Sequence, residues 1–384
     1  MKVCFLSTTH PFDDTRVLHK EAHALAKAGH CVTHIAPMKG GADSALPQAF
    51  EASGVKIVLY GSGRRYRRFL RLFRLAWQQR ADCYHCNEVD SWLLGLLLKL
   101  LRPGAKIVFD VHEHYPSRFA EPHVSRWLRH IGPPLMGAIL KVLPWFTDFV
   151  ILAKRSVAGD FPKRYDRKDF VFNYGVTRIA VRTAEQIPED VKKHFREGVF
   201  TAVHVGGISR ARGWPQLLEA LSLTTRPVHA LCLGSVLEGT DTLMAEARRL
   251  GVEDRITVLD RVPYEQMFDF LSLGHVGLML YQPGILNHTY AFPMKLYDYM
   301  WAGLPSIGPD FAIEVEPVIR EVGCGICIDT SDSRALAKAL DTLAADPDSA
   351  RTMGQRGREA VLAKYNWEAE ARKLVAIYER LARE

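Results

Sequence analysis

The apolar residues of this chain follow two alternating spacings. Short unbroken runs rich in Val, Ile, Leu and Phe predict strands over 2–7, 31–36, 55–59, 81–86, 105–110 and 147–152. Between them, apolar positions recur every three or four residues and predict helices, notably over 15–28, 66–79, 89–101 and 125–143. The same alternation restarts near residue 199. Strands are expected over 199–205, 228–233, 255–259, 275–280, 304–307 and 325–328. Helices are expected over 213–222, 240–250, 264–273, 293–302, 332–345 and 347–364. Alternating strands and helices make parallel sheets covered on both faces. The fold class is therefore α/β, with two Rossmann-like domains in tandem and a ligand cleft expected at the carboxyl ends of the strands. The boundaries read as residues 1–175, a polar and weakly periodic linker over 176–197, a second domain over 198–365, and a last amphipathic helix over 366–384.

Length and composition agree with this. A chain of 384 residues exceeds what one compact domain usually holds. Hydrophobic residues at 48% and charged residues at 24% exclude a disordered, collagen-like or disulfide-framed protein. The strand at 2–7 follows Met1 directly, so no signal peptide is expected. The apolar stretches 92–101 and 133–146 are broken by Lys99 and Lys141 and fall short of the roughly 20 residues that span a bilayer. A cytoplasmic location follows as the expectation. The seven cysteines include two CxxC pairs, Cys83/Cys86 and Cys324/Cys327, in strand-like runs of different domains. They read as buried small hydrophobes in preference to a zinc site.

The charge is localised. Residues 1–180 hold 27 Lys/Arg against 15 Asp/Glu, and the remainder 23 against 28. Residues 64–80 alone carry seven arginines and no acid, which equals the whole net charge of +7. On a helical wheel Tyr66, Phe69, Leu70, Phe73, Ala76 and Trp77 share one face, and Arg64, Arg67, Arg68, Arg71 and Arg74 the other. With Arg65, these arginines are candidates for contact with an anionic membrane surface, since a solubilising surface usually mixes signs.

Two nucleotide motifs are missing. The first strand–helix turn, residues 7–15, has no glycine and so no GxGxxG, and GxxxxGK[ST] is absent. The second half offers something else. His204-Val205-Gly206-Gly207-Ile208-Ser209-Arg210-Ala211-Arg212-Gly213-Trp214 ends a strand and opens a helix. Glycines there admit close backbone approach, helix N–H groups favour an anion, and Arg212 suits a phosphate. Downstream, Tyr290 is followed by Pro293-Met294-Lys295-Leu296-Tyr297-Asp298-Tyr299-Met300-Trp301-Ala302-Gly303. Pro293 is placed to start a helix, with Lys295 in its first turn. Asp298 sits one turn on, where a carboxylate can accept from a ribose diol.

In this order and spacing the two segments resemble the donor-site motifs of retaining GT-B glycosyltransferases of family 4. The first is similar to G-x-(I/L)-x-x-x-(K/R)-G with Arg212 in the basic position. The second is similar to P-x-K-x-x-E-Y-M-A-x-G-x-P with Asp298 in the acidic position. Phe12-Asp13-Asp14-Thr15-Arg16-Val17 through Ala28-Gly29-His30-Cys31-Val32 resembles the family's opening helix and G-H-x-V, and Asp110-Val111-His112-Glu113 resembles D-x-H-(D/E). The tail with Trp367 resembles a C-terminal helix that crosses back to the first domain. Two departures stand out. Tyr290 occupies the place of the first glutamate of Glu-x7-Glu, and Gly207 stands where an arginine often follows the first glycine.

The resemblance implies transfer of a sugar from a nucleotide-sugar of UDP or GDP type to a hydroxyl, with retention, in surface polysaccharide or glycolipid synthesis. It implies His112, Arg212 and Lys295 as catalytic groups. Donor contacts are expected from Gly206, Gly207, Arg212, Arg261, Val262, Tyr290, Pro293, Met294, Lys295, Leu296 and Asp298. Arg16, Glu88, Asp90 and Glu113 are candidates on the side of a glycan or lipid-linked acceptor. No metal and no cofactor beyond the nucleotide-sugar co-substrate are expected, and Asp346-Pro347-Asp348 reads as a turn. A GT-B sugar-nucleotide epimerase is the alternative. A nucleic-acid-binding protein is a distant one, because no nucleic-acid module accompanies the arginines.

Overall fold

The strand that opens the chain is the middle of the first sheet. The computed structural model describes residues 1–38, 47–61, 64–120 and 124–384, the side chains of Arg65 and Ala120 excepted. Residues Met1–Asn173 and Trp367–Glu384 form one compact unit, and Tyr174–Asn366 a second.

The first unit contains β1 (Lys2–Leu6), β2 (Cys31–Pro37), β3 (Gln48–Ala52), β4 (Val55–Tyr60), β5 (Cys83–Cys86), β6 (Lys106–Val111), β7 (Phe149–Leu152) and β8 (Lys168–Phe170). They lie in the order β3-β4-β2-β1-β5-β6-β7-β8. All neighbours are parallel except β3 and β4. The inner strands read as apolar runs because helices cover both faces. The apolar pattern missed β3 and β8 for the same reason reversed. Both are edge strands, and Gln48, Ala49, Phe50 and Glu51 of β3 are exposed.

The helix expected over 15–28 has two parts. Thr15–Ala22 is π-helical and His23–Lys27 α-helical, with the Asp14 carboxylate accepting from the Arg16 and Val17 amides. In the π-helical part Arg16, Lys20 and Glu21 are all buried. Helices Arg65–Gln79, Val89–Leu101 and Arg126–Val142 follow. The C-terminal helix Trp367–Arg383 completes this unit, burying Trp367, Leu374, Ile377, Tyr378 and Leu381. Glu370 on it accepts from the Phe172 amide at 2.8 Å.

The second unit contains β9 (Phe200–Val205), β10 (Val228–Leu233), β11 (Ile256–Leu259), β12 (Val276–Leu278), β13 (Ser306–Pro309) and β14 (Gly325–Ile328). All are parallel, in the order β11-β10-β9-β12-β13-β14. Chain direction across the sheet reverses between β9 and β12. The crossovers there leave to opposite sides, and the crevice beyond the strand ends is where such sheets hold ligands. All seven cysteines are free, and five are buried. Cys83 and Cys86, three apart on β5, face opposite sides of the sheet.

The helix Met294–Ala302, which carries Lys295 and Asp298, ends at Gly303 in the left-handed region (φ 77°). Helix Pro347–Ala363 crosses that end so closely that a Cβ on Gly354 would lie 1.8 Å from the Gly303 carbonyl oxygen. Gly354→Ala therefore overpacks a backbone contact, an effect worth about 1–3 kcal/mol. The urea midpoint should fall with the m-value unchanged. A wild-type midpoint would show that the two helices separate without penalty.

Candidate active site

Two cations meet at the carboxyl end of β9. After Val205 the chain turns through Gly206 (φ 102°), and a Cβ on Gly234 at the end of β10 would lie 2.1 Å from the Gly206 carbonyl oxygen. Only glycine permits these two turns to touch. A Cβ on Gly206 would lie 3.8 Å from Arg212 Nη1 and 3.9 Å from Lys295 Nζ, so both cations flank this backbone. Arg212 Nη1 also donates to the Gly207 carbonyl at 3.2 Å. Gly213 (φ 77°) then lies against Leu280 and opens helix Trp214–Leu223. Burial, and secondly the Arg212 charge, push the half-buried Lys295 ammonium down to about 7. The same two cations, after burial, hold His204 well below its ordinary value. Lys295 Nζ stands 5.5 Å from the centre of the Tyr281 ring.

One turn beyond Lys295, Asp298 is 3% exposed. Its Oδ1 accepts from the Tyr264 hydroxyl at 2.6 Å and would lie 3.2 Å from a Cβ on Gly175. Pro293 caps the helix, with half-buried Met294 in its first turn and Leu296 fully buried beneath. Tyr290 ends the short turn Leu286–Thr289 and is half-buried. Arg261 and Val262 follow β11, the first exposed and the second half-buried. Arg210 turns away and pairs with Glu246 at 3.1 Å.

The strand ends of the first unit carry a chain of paired charges. Glu88, cap of helix Val89–Leu101, receives six hydrogen bonds, from the amides of Thr8, Thr9 and His10, the hydroxyls of Thr9 and Ser91, and the His10 ring. His10 Nδ1 lies 2.7 Å from its oxygen. Burial opposes charge on His10, but the Glu88 hydrogen bond and charge outweigh it and raise His10 to about 9. Glu88 is held at about 2 by His10 and the loop amides, against the effect of its own burial. His10 Nε2 is 3.1 Å from His112 Nε2, and His112 Nδ1 is 3.2 Å from Asp110 Oδ2. Asp110 only accepts, so His112 carries its proton on Nδ1 and takes the His10 N–H on Nε2. Both His112 nitrogens are thus engaged by Asp110 and His10.

Arg16 continues the chain. Its Nε and Nη2 donate to the two Asp110 oxygens at 2.8 and 2.6 Å. Its Nη2 lies 2.8 Å from Glu21, which in turn lies 3.2 Å from His85 Nε2. His85 Nδ1 takes the Tyr378 hydroxyl of the C-terminal helix at 2.6 Å. Ligand atoms of Glu21, His85 and Asp110 lie within 4.8 Å of one another, a spacing that suits a metal ion. The Arg16 guanidinium, hydrogen-bonded to Asp110 and ion-paired with Glu21, already supplies the positive charge there. Glu113 pairs instead with Arg118 at 2.8 Å.

The model for Glycosyltransferase Family 4 matches residues 15–169, and that for Glycosyl transferases group 1 matches residues 186–360. Among curated relatives, Bacillus subtilis EpsD, named as a glycosyltransferase, is 24% identical over 292 residues, covering 73% of this chain and 72% of its own. This chain is a family 4 glycosyltransferase of the GT-B fold. The sucrose-phosphate synthase of Thermosynechococcus elongatus shares the fold with a TM-score of 0.80 at 18% identity, over 99% of this chain and 98% of its own. Anabaena HepE in complex with UDP superposes with a TM-score of 0.76 at 14% identity over 100% of both chains.

The structure of this glycosyltransferase brings Gly206, Gly207, Arg212 and Lys295 together in its second unit, and Glu88, His112, Asp110 and Arg16 in its first. The arginine helix requires a correction. Its buried positions are Leu72 and Ala76, with Phe69, Phe73 and Leu75 packed partly beside them. Tyr66, Leu70 and Trp77, expected on the packed face, are exposed. Arg64, Arg67 and Arg74 are exposed, Arg68 is half-buried, and Arg71 donates to the Gly61 carbonyl at 3.1 Å. The Arg65 side chain lies outside the described residues. The true buried stripe is narrower than the wheel suggests and centres on Leu72 and Ala76. Sequence reasoning gave no role to His204, Tyr281 or His288. Tyr281 follows a strand facing the point of reversal, and that position is the signal that could have found it.

The His10–Glu88 pair gives a test. His10 is raised above 6.5, so its contribution to stability is complete below pH 6.5 and is lost as pH rises through about 9. Glu88 is lowered from 4.5, so its contribution is complete above pH 4.5 and is lost as pH falls through about 2. Histidine NMR titration should show a midpoint near 9 that moves towards 6.5 in Glu88→Gln. A His10 midpoint already near 6.5 in the wild type would contradict the pairing.

Proposed function

We propose that this glycosyltransferase moves a sugar from a UDP- or GDP-type nucleotide-sugar to a hydroxyl of a lipid-linked glycan acceptor, with retained anomeric configuration, in surface polysaccharide or glycolipid synthesis. The observation that carries the donor half is the convergence of Arg212 and Lys295 on the Gly206–Gly207 turn at the strand reversal of the second sheet. Two like charges held together in a partly dry crevice repel, and an anion relieves both. A diphosphate is the leaving group of a nucleotide-sugar, and negative charge grows on it as the glycosidic bond breaks. Fixed cations and helix N–H groups then bind the transition state more tightly than the ground state. The nucleotide ribose is assigned to Asp298 with Tyr264, and the base to the segment of Arg261 and Val262. The acceptor belongs to the first unit, near His112 and Asp90. UDP bound to HepE, a protein of the same fold, supports a uridine donor.

The membrane half rests on surface chemistry. Helices Arg65–Gln79 and Arg126–Val142 contain no acidic residue. Exposed Tyr66 and Leu70 lie on the first, exposed Trp127, Ile131 and Leu135 on the second, and exposed Trp145 and Phe146 in the turn Leu143–Phe146 that follows it. Basic side chains with interfacial aromatics suit an anionic leaflet. The protein should float with liposomes containing anionic lipid and much less with neutral ones. Equal flotation with both, or none with either, overturns this half of the reading.

Two measurements test the donor half. Arg212→Ala should abolish the thermal shift produced by UDP-sugars or GDP-sugars and lower kcat about 10²–10³-fold, the scale of a lost transition-state donor. A full shift in the variant would misplace the donor site. Because free Lys295 titrates near 7 and a diphosphate favours its charged form, a UDP-sugar, whose doubly substituted diphosphate has no group titrating near neutral pH, should take up a proton on binding at pH 8. Calorimetry in two buffers of different ionisation heat reads that uptake, which should vanish at pH 6 and in Lys295→Met. Buffer-independent heats at pH 8 would contradict it.

A further inference from the structure

A groove in the first unit has no role in the chemistry above. It encloses about 640 Å³ between helices 65–79 and 89–101. That lies within the usual range of small-molecule sites, about 300–1,000 Å³. Its outer wall is apolar and open to solvent, with Tyr66 56%, Leu70 61% and Leu93 42% exposed. Phe69 extends the same wall inward. Its inner end is the Thr8–Thr9 turn that Glu88 staples, one residue from His10. The groove thus runs from an exposed apolar face to the strand ends of the first sheet.

Two charged side chains are among the residues that line it, Arg68 and Asp90. Arg68 Nε is buried and has no hydrogen-bond partner. A buried donor left unpaired costs about 1–3 kcal/mol, so the groove holds a guanidinium edge without an acceptor among apolar side chains. Half-buried Asp90 adds a carboxylate suited to hydroxyl groups.

From this combination we infer that the groove binds the aglycone of the acceptor: an apolar chain along Tyr66, Leu70 and Leu93, with its phosphate on Arg68 and its first sugar towards Asp90 and the Thr8–Thr9 turn. This rests on the lipid-linked acceptor reading and deepens it, by giving the lipid a site of its own. Charge selects this occupant over a second copy of the chain. Arg64, Arg67 and Arg74 lie exposed on the same helix, and a symmetric contact through this face would set arginines against arginines. An anionic amphiphile satisfies both the cations and the apolar wall.

Calorimetry on the full chain tests the site, with dodecyl phosphate below its micelle concentration as the probe. The wild type should bind one dodecyl phosphate and inorganic phosphate at least tenfold more weakly. Leu70→Asp and Leu93→Asp, both at exposed positions and so compatible with the fold, should each weaken dodecyl phosphate tenfold or more. Arg68→Gln should weaken dodecyl phosphate about tenfold and leave neutral octyl glucoside unaffected. A far-UV spectrum and cooperative melting of the first unit as in the wild type confirm that all three variants fold, and the thermal shift with UDP, which reports on the second unit, should persist in them. Absent binding to the wild type, undiminished binding in the two leucine variants, or equal affinity for inorganic phosphate each overturns the groove as a lipid site. A wild type that binds dodecyl phosphate but does not respond to nucleotide-sugars would instead sink the donor reading and leave the groove standing.

Discussion

A guanidinium taken out of water needs anions beside it, and in the first domain that need organises everything around Arg16. At 4% exposure it is flanked by Asp110 and Glu21. Burial alone would disfavour its charge, yet the two carboxylates hold it above even its ordinary range, and Asp110 is held far below its own. Asp110 comes from β6, Glu21 from the π-helical turns and His85 from β5, while Tyr378 arrives from the far end of the chain. The C-terminal helix is tied to this domain by a polar relay as well as by its apolar face. Through Asp110 the relay also reaches His112 and His10, so the side chains at the mouth of the sheet inherit their orientation from a buried ion pair.

The second domain handles charge in the opposite way. Arg212 and Lys295 stand together beside glycine backbone, and burial, with the Arg212 charge second, makes Lys295 titrate low. One domain compensates its buried charges internally, and the other accumulates positive charge at the crevice of its sheet. This asymmetry suits a transferase. In the proposed reaction a donor diphosphate would provide the missing anion and leave with the nucleotide, whereas groups that orient an acceptor would be best held rigidly by partners of their own.

Much of this was legible along the chain. The inner strands of both sheets could be read because fully covered parallel strands are apolar throughout, and the point where the pattern restarts separates two sheets. The edge strands β3 and β8 escaped because edges are polar. The glycine turn, Arg212 and Lys295 were legible because a tight strand–helix turn with cations has few other purposes. Glu88 illustrates what was not. Its sequence position suits either a cap or an acceptor contact, and only the structure shows six donors converging on one carboxylate. The arginine helix was half legible, its charge evident and its buried stripe misplaced, because a wheel shows amphipathicity without showing how wide the neighbouring surface is.

The sequence by itself determined the α/β class, the two-sheet organisation, the family and the glycine turn with its nearby cations, since each depends on short-range spacing that strand, turn and helix geometry constrain. Only the tertiary structure decided which charges are paired. His10 with Glu88, Arg16 with Asp110 and Glu21, and His85 with Tyr378 join residues 78, 94 and 293 positions apart in three of these contacts. No local pattern encodes such partners. They meet because parallel strands deliver their carboxyl ends to one edge of the sheet, where charges from distant segments must find each other or remain in water.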